Sequence, residues 1–87
     1  MTAVRVESME EKRADLTSIQ ATIFVDKESQ KGILVGKGGE KIRQIGKAAR
    51  LDLEKFLGKR VYLELWVKVL PGWKNDPGRL RDFGYDS

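Results

Sequence analysis

Three glycines within four positions, with a lysine among them, form the stretch of this sequence best suited to binding an anion: Gly36, Lys37, Gly38 and Gly39. Glycine permits positive φ angles, and its missing Cβ lets another chain approach the backbone closely. The residues after Gly39 have the pattern of a helix start, so free N–H groups and the positive end of a helix dipole point at the same place. This chemistry suits a phosphate or another polyanion.

Two common phosphate-binding loops do not fit the spacing. A nucleotide-binding P-loop needs G-x-x-x-x-G-K-[ST], but Gly32 and Gly36 are one residue too close, and Gly38 replaces the required hydroxyl. A dinucleotide fingerprint, G-x-G-x-x-G, needs a glycine where Lys41 stands. What remains is G-x-x-G between two predicted helices, a loop that KH modules use to clamp single-stranded nucleic acid. A glycine-rich turn without a ligand has the same tetrapeptide, so the motif alone leaves both interpretations open.

The composition describes one small globular domain spanning residues 1–87, with 40% hydrophobic and 34% charged residues. Cysteine and histidine are both missing from the sequence. Their absence excludes disulfides, thiolate zinc sites, cysteine nucleophiles and the usual general base, so we expect no enzyme, no metal and no cofactor. No apolar run approaches the ~20 residues of a membrane span, and the N-terminus lacks a signal-peptide core. We therefore expect a soluble chain.

The positive charge is concentrated around the glycine loop. The chain carries a net charge of +4, yet the segment from Lys27 to Arg50 contains seven cations and two anions, a balance of +5. The remainder therefore sums to −1. This is the distribution expected of a nucleic-acid site, although a charged run is also typical of a solvated helix face.

Hydrophobic periodicity predicts three strands and two main helices. The predicted strands cover residues 3–7, 16–26 and 60–69, and the first two form a hairpin through a charged connection over 8–15. The predicted helices cover residues 27–35 and 40–57. Asp26 or Ser29 is expected to cap the first helix, and Gly58 ends the second. A turn and a short helix are expected over 71–87, packing through Trp73 and Phe83.

The helix over 40–57 has one apolar and one basic face. Its expected packing residues are Ile42, Ile45, Ala49, Leu53, Phe56 and Leu57. Gly46 lies in its interior, where we expect another backbone to approach closely. The exposed cations are expected to be Lys41, Arg43, Lys47 and Arg50.

In the strand over 60–69, Trp66 is expected to be covered by another element rather than to stack on bases. Strand, strand, helix, G-x-x-G, helix and strand give an α+β fold, a three-stranded sheet with helices on one face.

The motifs together resemble the C-terminal KH domain of the bacterial Era GTPase family. The matching segments are Ser29-Gln30-Lys31-Gly32-Ile33, Gly36-Lys37-Gly38-Gly39, Ile45-Gly46, Ala49-Arg50, the strand from Val61 to Val69, Trp73, Asp76-Pro77, Leu80-Arg81 and Phe83-Gly84-Tyr85. The resemblance covers nearly the whole chain. It implies a type II KH fold that binds single-stranded RNA near the 3′ end of small-subunit (16S) ribosomal RNA during 30S assembly, with no DNA partner expected.

The same resemblance implies two differences from the parent family. The GTPase domain, the intramolecular partner in the parent protein, is absent, so this chain is not expected to hydrolyse GTP. The type II fold also begins with a helix, whereas only Met1 and Thr2 precede the first predicted strand. An excised domain and a free-standing KH protein both remain open, and the sheet is expected to expose an apolar face. The parent family implies a cytoplasmic location, with peripheral attachment to the inner membrane as an alternative.

The predicted RNA site is a groove beside the G-x-x-G loop. Backbone N–H groups of Gly36 to Gly39 and the Lys37 side chain are expected to hold phosphates. Further attraction is expected from Lys31, Lys41 and Arg43. Apolar contact with bases is expected from Ile33, Val35, Ile42, and Ile23 or Val25. A role purely in the core is the alternative for these residues, and it is favoured for Ile23 and Ile42. Polar contacts are expected from Gln30 and Thr22, and closure of the far end from Lys59 and Arg60. The alternative function is a protein-interaction domain that docks on a ribosomal protein or a GTPase domain.

Overall fold

The structure is a computed structural model that describes residues 3–72. Its elements are, in order, β1 (Ala3–Arg13), β2 (Leu16–Val25), α1 (Glu28–Val35), α2 (Glu40–Leu57) and β3 (Arg60–Val69). A 3-10 turn over Lys37–Gly39 joins the two helices. Pro71 and Gly72 lie in the predicted turn, but the predicted C-terminal helix and its packing residues fall outside the described residues.

The three strands form a mixed sheet in the order β1-β2-β3. β1 and β2 are an antiparallel hairpin, whereas β2 and β3 are parallel, with Leu16 opposite Arg60 and Val25 opposite Val69. A parallel pair needs a long crossover, and α1 and α2 supply it. The α+β prediction of a three-stranded sheet with two helices is therefore confirmed.

β1 is longer than its sequence pattern indicates. The segment over 8–15 was predicted to be a charged connection, but the strand continues to Arg13, and only Ala14 and Asp15 turn the chain. Every residue of β1 after Ala3 is exposed, so its side chains need no apolar alternation. Two register shifts, between Val6 and Ser8 and between Glu11 and Arg13, keep the extended strand paired with β2.

The core centres on β2, the middle strand of the sheet. Ile19, Ala21, Ile23 and Val25 are buried on one face, as predicted, and Thr22 and Phe24 are buried on the other. Ala3 and Phe24 form a second small cluster, against which Leu70 packs. β2 is paired with a strand along each of its edges, and both of its faces contain buried residues.

The helices are attached through half-buried faces. α2 packs on β3, where an added Cβ on Gly46 would lie 3.6 Å from Leu65 Cδ1. The close neighbour of Gly46 is therefore a side chain, not the backbone that was predicted. Phe56 was predicted to pack, but its side chain is 87% exposed on the last turn of α2. Trp66 is 53% exposed, so the cover expected for it is only partial.

The residues that cap the two helices agree only partly with the prediction. Neither Asp26 nor Ser29 is the N-cap of α1; that position belongs to Lys27. The Gln30 side chain takes over the capping role, because its Oε1 accepts hydrogen bonds from the backbone N–H groups of Asp26 at 2.8 Å and Lys27 at 3.0 Å. Gly58 ends α2 in the left-handed conformation, as predicted.

The apolar face expected on the sheet lies along β1. Val4, Val6 and Met9 are all exposed there. They stand opposite Ile23, Ala21 and Ile19 respectively, so they belong to the same face as the buried row of β2. Within residues 3–72, neither helix is long and apolar enough to cross a membrane.

Candidate nucleic-acid interface

The G-x-x-G loop is built from three consecutive backbone features. α1 ends where the N–H of Gly36 donates to the carbonyl of Gly32 at 2.9 Å. The chain then turns at Gly36, which has φ 75° and ψ 177°, and makes a single 3-10 turn in which the N–H of Gly39 donates to the carbonyl of Gly36 at 3.2 Å. α2 begins at Glu40 immediately afterwards. All three loop glycines have positive φ angles, so the motif is explained by backbone geometry.

The glycines differ in what surrounds them. A Cβ on Gly36 would lie 2.7 Å from Lys41 Cβ, so this glycine is required for α1 and α2 to approach each other. Gly38 and Gly39 have no atom within 4 Å of an added Cβ. The Cα atoms of these two glycines therefore face open space at the start of α2, where a phosphate can approach the backbone, although the Gly39 N–H is itself used within the 3-10 turn. Of the loop glycines, Gly36 is structural and the other two are accessible.

Exposed cations surround this open backbone. The four exposed cations nearest to it along the chain are Lys37, Lys41, Arg43 and Lys47. None of the four takes part in an ion pair within residues 3–72. The one carboxylate in the first turn of α2 is Glu40. The positive charge at the start of the helix is thus available to a ligand, and it adds to the partial positive charge of the helix terminus.

A groove of about 440 Å³ runs between α2 and the edge strand β3. Its lining residues are Ile42, Arg43, Gly46, Lys47, Arg50, Leu63 and Leu65. Three of them are cations along one wall, and the leucines and the isoleucine provide an apolar surface. A groove with an apolar floor and a cationic wall is suited to unstacked bases with their phosphates held at the side. It adjoins the loop, because Ile42 and Arg43 lie in the first turn of α2.

Only some of the predicted site residues line the groove. Ile42 and Arg43 line the groove, and the loop residues and Lys41 directly precede them along the chain without lining it. Lys31 and Val35 are half-buried on α1, and Ile33 is 66% exposed there, but none of the three lines the groove. Ile23 and Val25 are both buried in the sheet, which agrees with the core role that was favoured for Ile23 and not with a floor for bases.

Two predicted polar contacts are already used inside the fold. The Gln30 Oε1 caps α1, so its acceptor is not available to read a base edge. Thr22 is buried, and its hydroxyl donates a hydrogen bond to the Glu7 carboxylate. That hydrogen bond, together with the nearby Arg5 guanidinium, lowers the pKa of Glu7 below its ordinary value near 4.5, against a partial opposing effect of desolvation. Neither residue is placed to contact RNA through these atoms.

Lys59 and Arg60, which were predicted to close the far end of the groove, lie in different surroundings. The ammonium nitrogen of Lys59 lies 3.5 Å from Glu11 Oε1 on β1, so this lysine connects α2 to the hairpin. Arg60 instead lines a second cavity of about 690 Å³, which shares Arg50 and Leu63 with the groove. Arg60 therefore lies beyond the Arg50 end of the groove without lining it, and Lys59 is paired with Glu11.

Sequence reasoning missed the wall of the groove that β3 provides. Gly46, Leu63 and Leu65 line it, yet the two leucines were assigned only to the sheet. The signal that identifies them is the strand order: β3 is an edge strand, so α2 can leave one side of it open. Within residues 3–72, no group of three or more acidic or histidine side chains is placed to hold a metal ion.

Comparison with known proteins agrees with this fold and loop. A family model described as KH domain matches residues 1–74, and the chain belongs to the KH domain family. It is 57% identical over 72 residues to the GTPase Era of Alkaliphilus oremlandii (strain OhILAs), a match that covers 83% of this chain and 24% of that protein. The chain thus spans about a quarter of the length of this curated relative.

Two solved structures are similar over almost the entire chain. One is a crystal structure of an Aquifex aeolicus Era variant bound to GDP·AlF4⁻, and the other is Era in complex with MgGDPNP and nucleotides 1506–1542 of 16S ribosomal RNA. Each is 42% identical, with a TM-score of 0.92, and the match covers 99% of this chain and 29% of the other chain. The resemblance to the KH domain of the Era family is therefore confirmed.

Proposed function

We propose that this chain is a single-stranded RNA-binding module whose target is the 3′ end of small-subunit ribosomal RNA. The observation that carries the proposal is the open backbone of Gly38 and Gly39, surrounded by exposed cations that have no ion-pair partner within residues 3–72. In KH modules this loop clamps about four nucleotides of the strand backbone. The choice of RNA is supported by the similar Era structure, which contains 16S nucleotides.

The geometry favours different roles for the loop and for the groove. Backbone N–H groups at the start of α2 and the Lys37 ammonium group hold phosphates, which fixes the position of the strand. The groove between α2 and β3 then receives bases on Ile42, Leu63 and Leu65, with Arg43 and Lys47 beside them. The chain itself acts by binding and not by catalysis, and in a longer protein of the Era kind it brings the GTPase to the 30S subunit in the cytoplasm.

The first experiment is a titration of a labelled ~10-nucleotide strand copied from the 3′ end of 16S ribosomal RNA, with a scrambled strand of equal composition as control. Four neutralised phosphates predict a slope of log K against log salt near −3, or roughly 50-fold weaker binding at 200 mM than at 50 mM salt. Tighter binding to the true sequence at both salt concentrations supports base readout. Equal binding to both strands would contradict it.

A double variant tests the loop directly. Lys37→Asp with Gly38→Asp replaces a cation by an anion and adds a second anion at the open backbone. Because an added Cβ at Gly38 meets no atom within 4 Å, and because aspartate tolerates the left-handed region, we expect the fold to be retained. RNA binding should be lost while the far-ultraviolet circular dichroism spectrum is unchanged. Normal binding by this variant would show that the loop is not the site.

A further inference from the structure

The cavity that Arg60 lines lies beyond the groove, at the N-terminal end of β3. It measures about 690 Å³ and is lined from β1, β2, α2 and β3. Its lining residues are Lys12, Leu16, Ser18, Arg50, Glu54, Arg60, Val61, Tyr62 and Leu63. Arg50 and Leu63 also line the groove, so the two spaces adjoin at these residues. Leu63 faces α2, whereas Arg60 and Tyr62 alternate onto the opposite face of β3. A chain that leaves the groove at Arg50 therefore reaches them by passing around this edge strand.

The charge of this cavity favours an anion. It is lined by three cations and one carboxylate, and that carboxylate is already occupied: Glu54 Oε2 accepts the backbone N–H of Val61 at 2.9 Å and lies 3.5 Å from an Arg50 nitrogen. The Lys12 ammonium nitrogen lies 2.9 Å from Glu10 Oε2. Arg60 is exposed and has no ion-pair partner within residues 3–72. Its guanidinium is thus free to take a phosphate.

The cavity also presents an aromatic ring. Tyr62 is 58% exposed, two residues after Arg60 on the same face of the edge strand. Its neighbour across the sheet is Ser18, a small residue that leaves the ring face accessible. A cation and an exposed aromatic side by side are the pair of groups that hold a phosphate and stack a base of a single strand.

The length of the groove indicates which molecule occupies the cavity. The G-x-x-G clamp accounts for about four nucleotides, and the helix from Gly39 to Arg50 extends about 16 Å at 1.5 Å per residue. A longer strand must leave the groove, and at the Arg50 end it meets this cavity. We propose, on the basis of the function proposed above, that the cavity is a second nucleotide site, where Arg60 holds a phosphate and Tyr62 stacks on a base of the same RNA strand.

The test compares short and extended strands on the same protein. The probes are overlapping tetranucleotides from the 3′ end of 16S ribosomal RNA, and the tightest of them lengthened by four nucleotides at its 5′ or its 3′ side. Backbone amide shifts in nitrogen–proton NMR spectra report which residues each probe contacts. We expect the tetranucleotide to shift amides of the loop and the groove but not those of Arg60 and Tyr62, and one of the two extended strands to shift those of Arg60 and Tyr62 as well.

Affinity measurements on variants complete the test. Tyr62→Leu, which retains a large apolar strand residue, should weaken the responsive extended strand by about 5- to 100-fold and leave the tetranucleotide within about twofold. Arg60→Ala should reduce the salt slope for that strand by about 0.7. Tyr62→Trp keeps a stacking ring and should bind as the unaltered chain does. Lys55→Ala, which removes an exposed cation outside both cavities, is the matched control and should change neither affinity.

The outcomes separate this proposal from the one on which it rests. The second site is refuted if neither extended strand binds more tightly than the tetranucleotide, or if the Arg60 and Tyr62 variants weaken short and extended strands equally. The proposed function itself fails if no probe shifts the loop amides. If a protein, and not RNA, occupies the cavity, none of the RNA probes shifts the amides of Arg60 and Tyr62, which also overturns the proposal.

Discussion

The backbone at Gly36 determines whether the two helices can meet at the loop. Gly36 has φ 75° and ψ 177°, a combination that is essentially restricted to glycine and costs other residues about 1–3 kcal/mol. A Cβ there would also lie 2.7 Å from Lys41 Cβ and 3.1 Å from the Lys41 backbone nitrogen. Relief requires a backbone shift of α2, because no flexible side-chain end can move aside. We expect Gly36→Ala to lower the free energy of unfolding by about 2–4 kcal/mol.

Gly38 and Gly39 provide matched controls in the same loop. Both have left-handed backbone angles, φ 63° and ψ 18° for Gly38 and φ 77° and ψ 12° for Gly39, but an added Cβ at either meets no atom within 4 Å. Alanine at these positions carries only the backbone cost of about 1–2 kcal/mol. The steric part of the Gly36 effect is therefore the difference between the first variant and these two.

Urea denaturation followed by circular dichroism measures all three variants. A chain of 87 residues is expected to have a total stability of about 4–13 kcal/mol, so the loss at Gly36 is a large fraction of it. The corresponding decrease in Tm is about 10 °C or more. If Gly36→Ala loses no more stability than Gly38→Ala, the contact with Lys41 is not restrictive and the reasoning is refuted.

Three further substitutions test separate contacts. Glu54→Ala removes the acceptor of the Val61 N–H, a 2.9 Å hydrogen bond, and should cost about 1–3 kcal/mol in urea denaturation, whereas Glu54→Gln should restore most of it; equal losses would contradict this. Gly46→Ala should raise stability by about 0.5–1 kcal/mol, because the added Cβ lies at an ordinary contact distance, but weaken RNA binding by narrowing the groove; unchanged affinity would refute the groove. Because the Thr22 hydroxyl lowers the pKa of Glu7, the ionised carboxylate stabilises the fold above about pH 4.5, and this stability is lost as the pH falls below that value. The stability difference between the unaltered chain and Glu7→Gln should therefore disappear in denaturation curves near pH 2, and a difference that persists there would contradict the assignment.

The sequence predicts best where one physical rule decides the outcome. The buried row of β2 and the end of α2 at Gly58 follow from period-two alternation and from the conformational freedom of glycine, and both are confirmed. The segment over 8–13 obeys a different rule. Its side chains are all exposed, so no hydrophobic pattern identifies it, and its strand conformation depends on backbone pairing with β2.

In the candidate site, too, the features that depend on local sequence were predicted and those that depend on tertiary structure were not. The loop, its glycines and the cations around it are adjacent in sequence and were therefore found from sequence. Leu63 and Leu65 were not found, because their role depends on β3 being an edge strand parallel to β2, a tertiary arrangement. Gln30 was assigned to RNA for a related reason: its type and position suit a groove, but its Oε1 is used by the end of α1.

Stability and binding are located in different parts of this chain. β2 contains most of the buried residues, whereas neither α1 nor α2 contains one. The helix pair and its loop are therefore held by half-buried contacts and by the geometry at Gly36, and they should open locally at a lower free energy than the sheet. A strand that binds only the closed loop stabilises it by RT ln(1 + [L]/Kd). RNA should therefore slow amide hydrogen exchange across the loop and the first turns of α2 far more than in β2, because the sheet is already ordered without it.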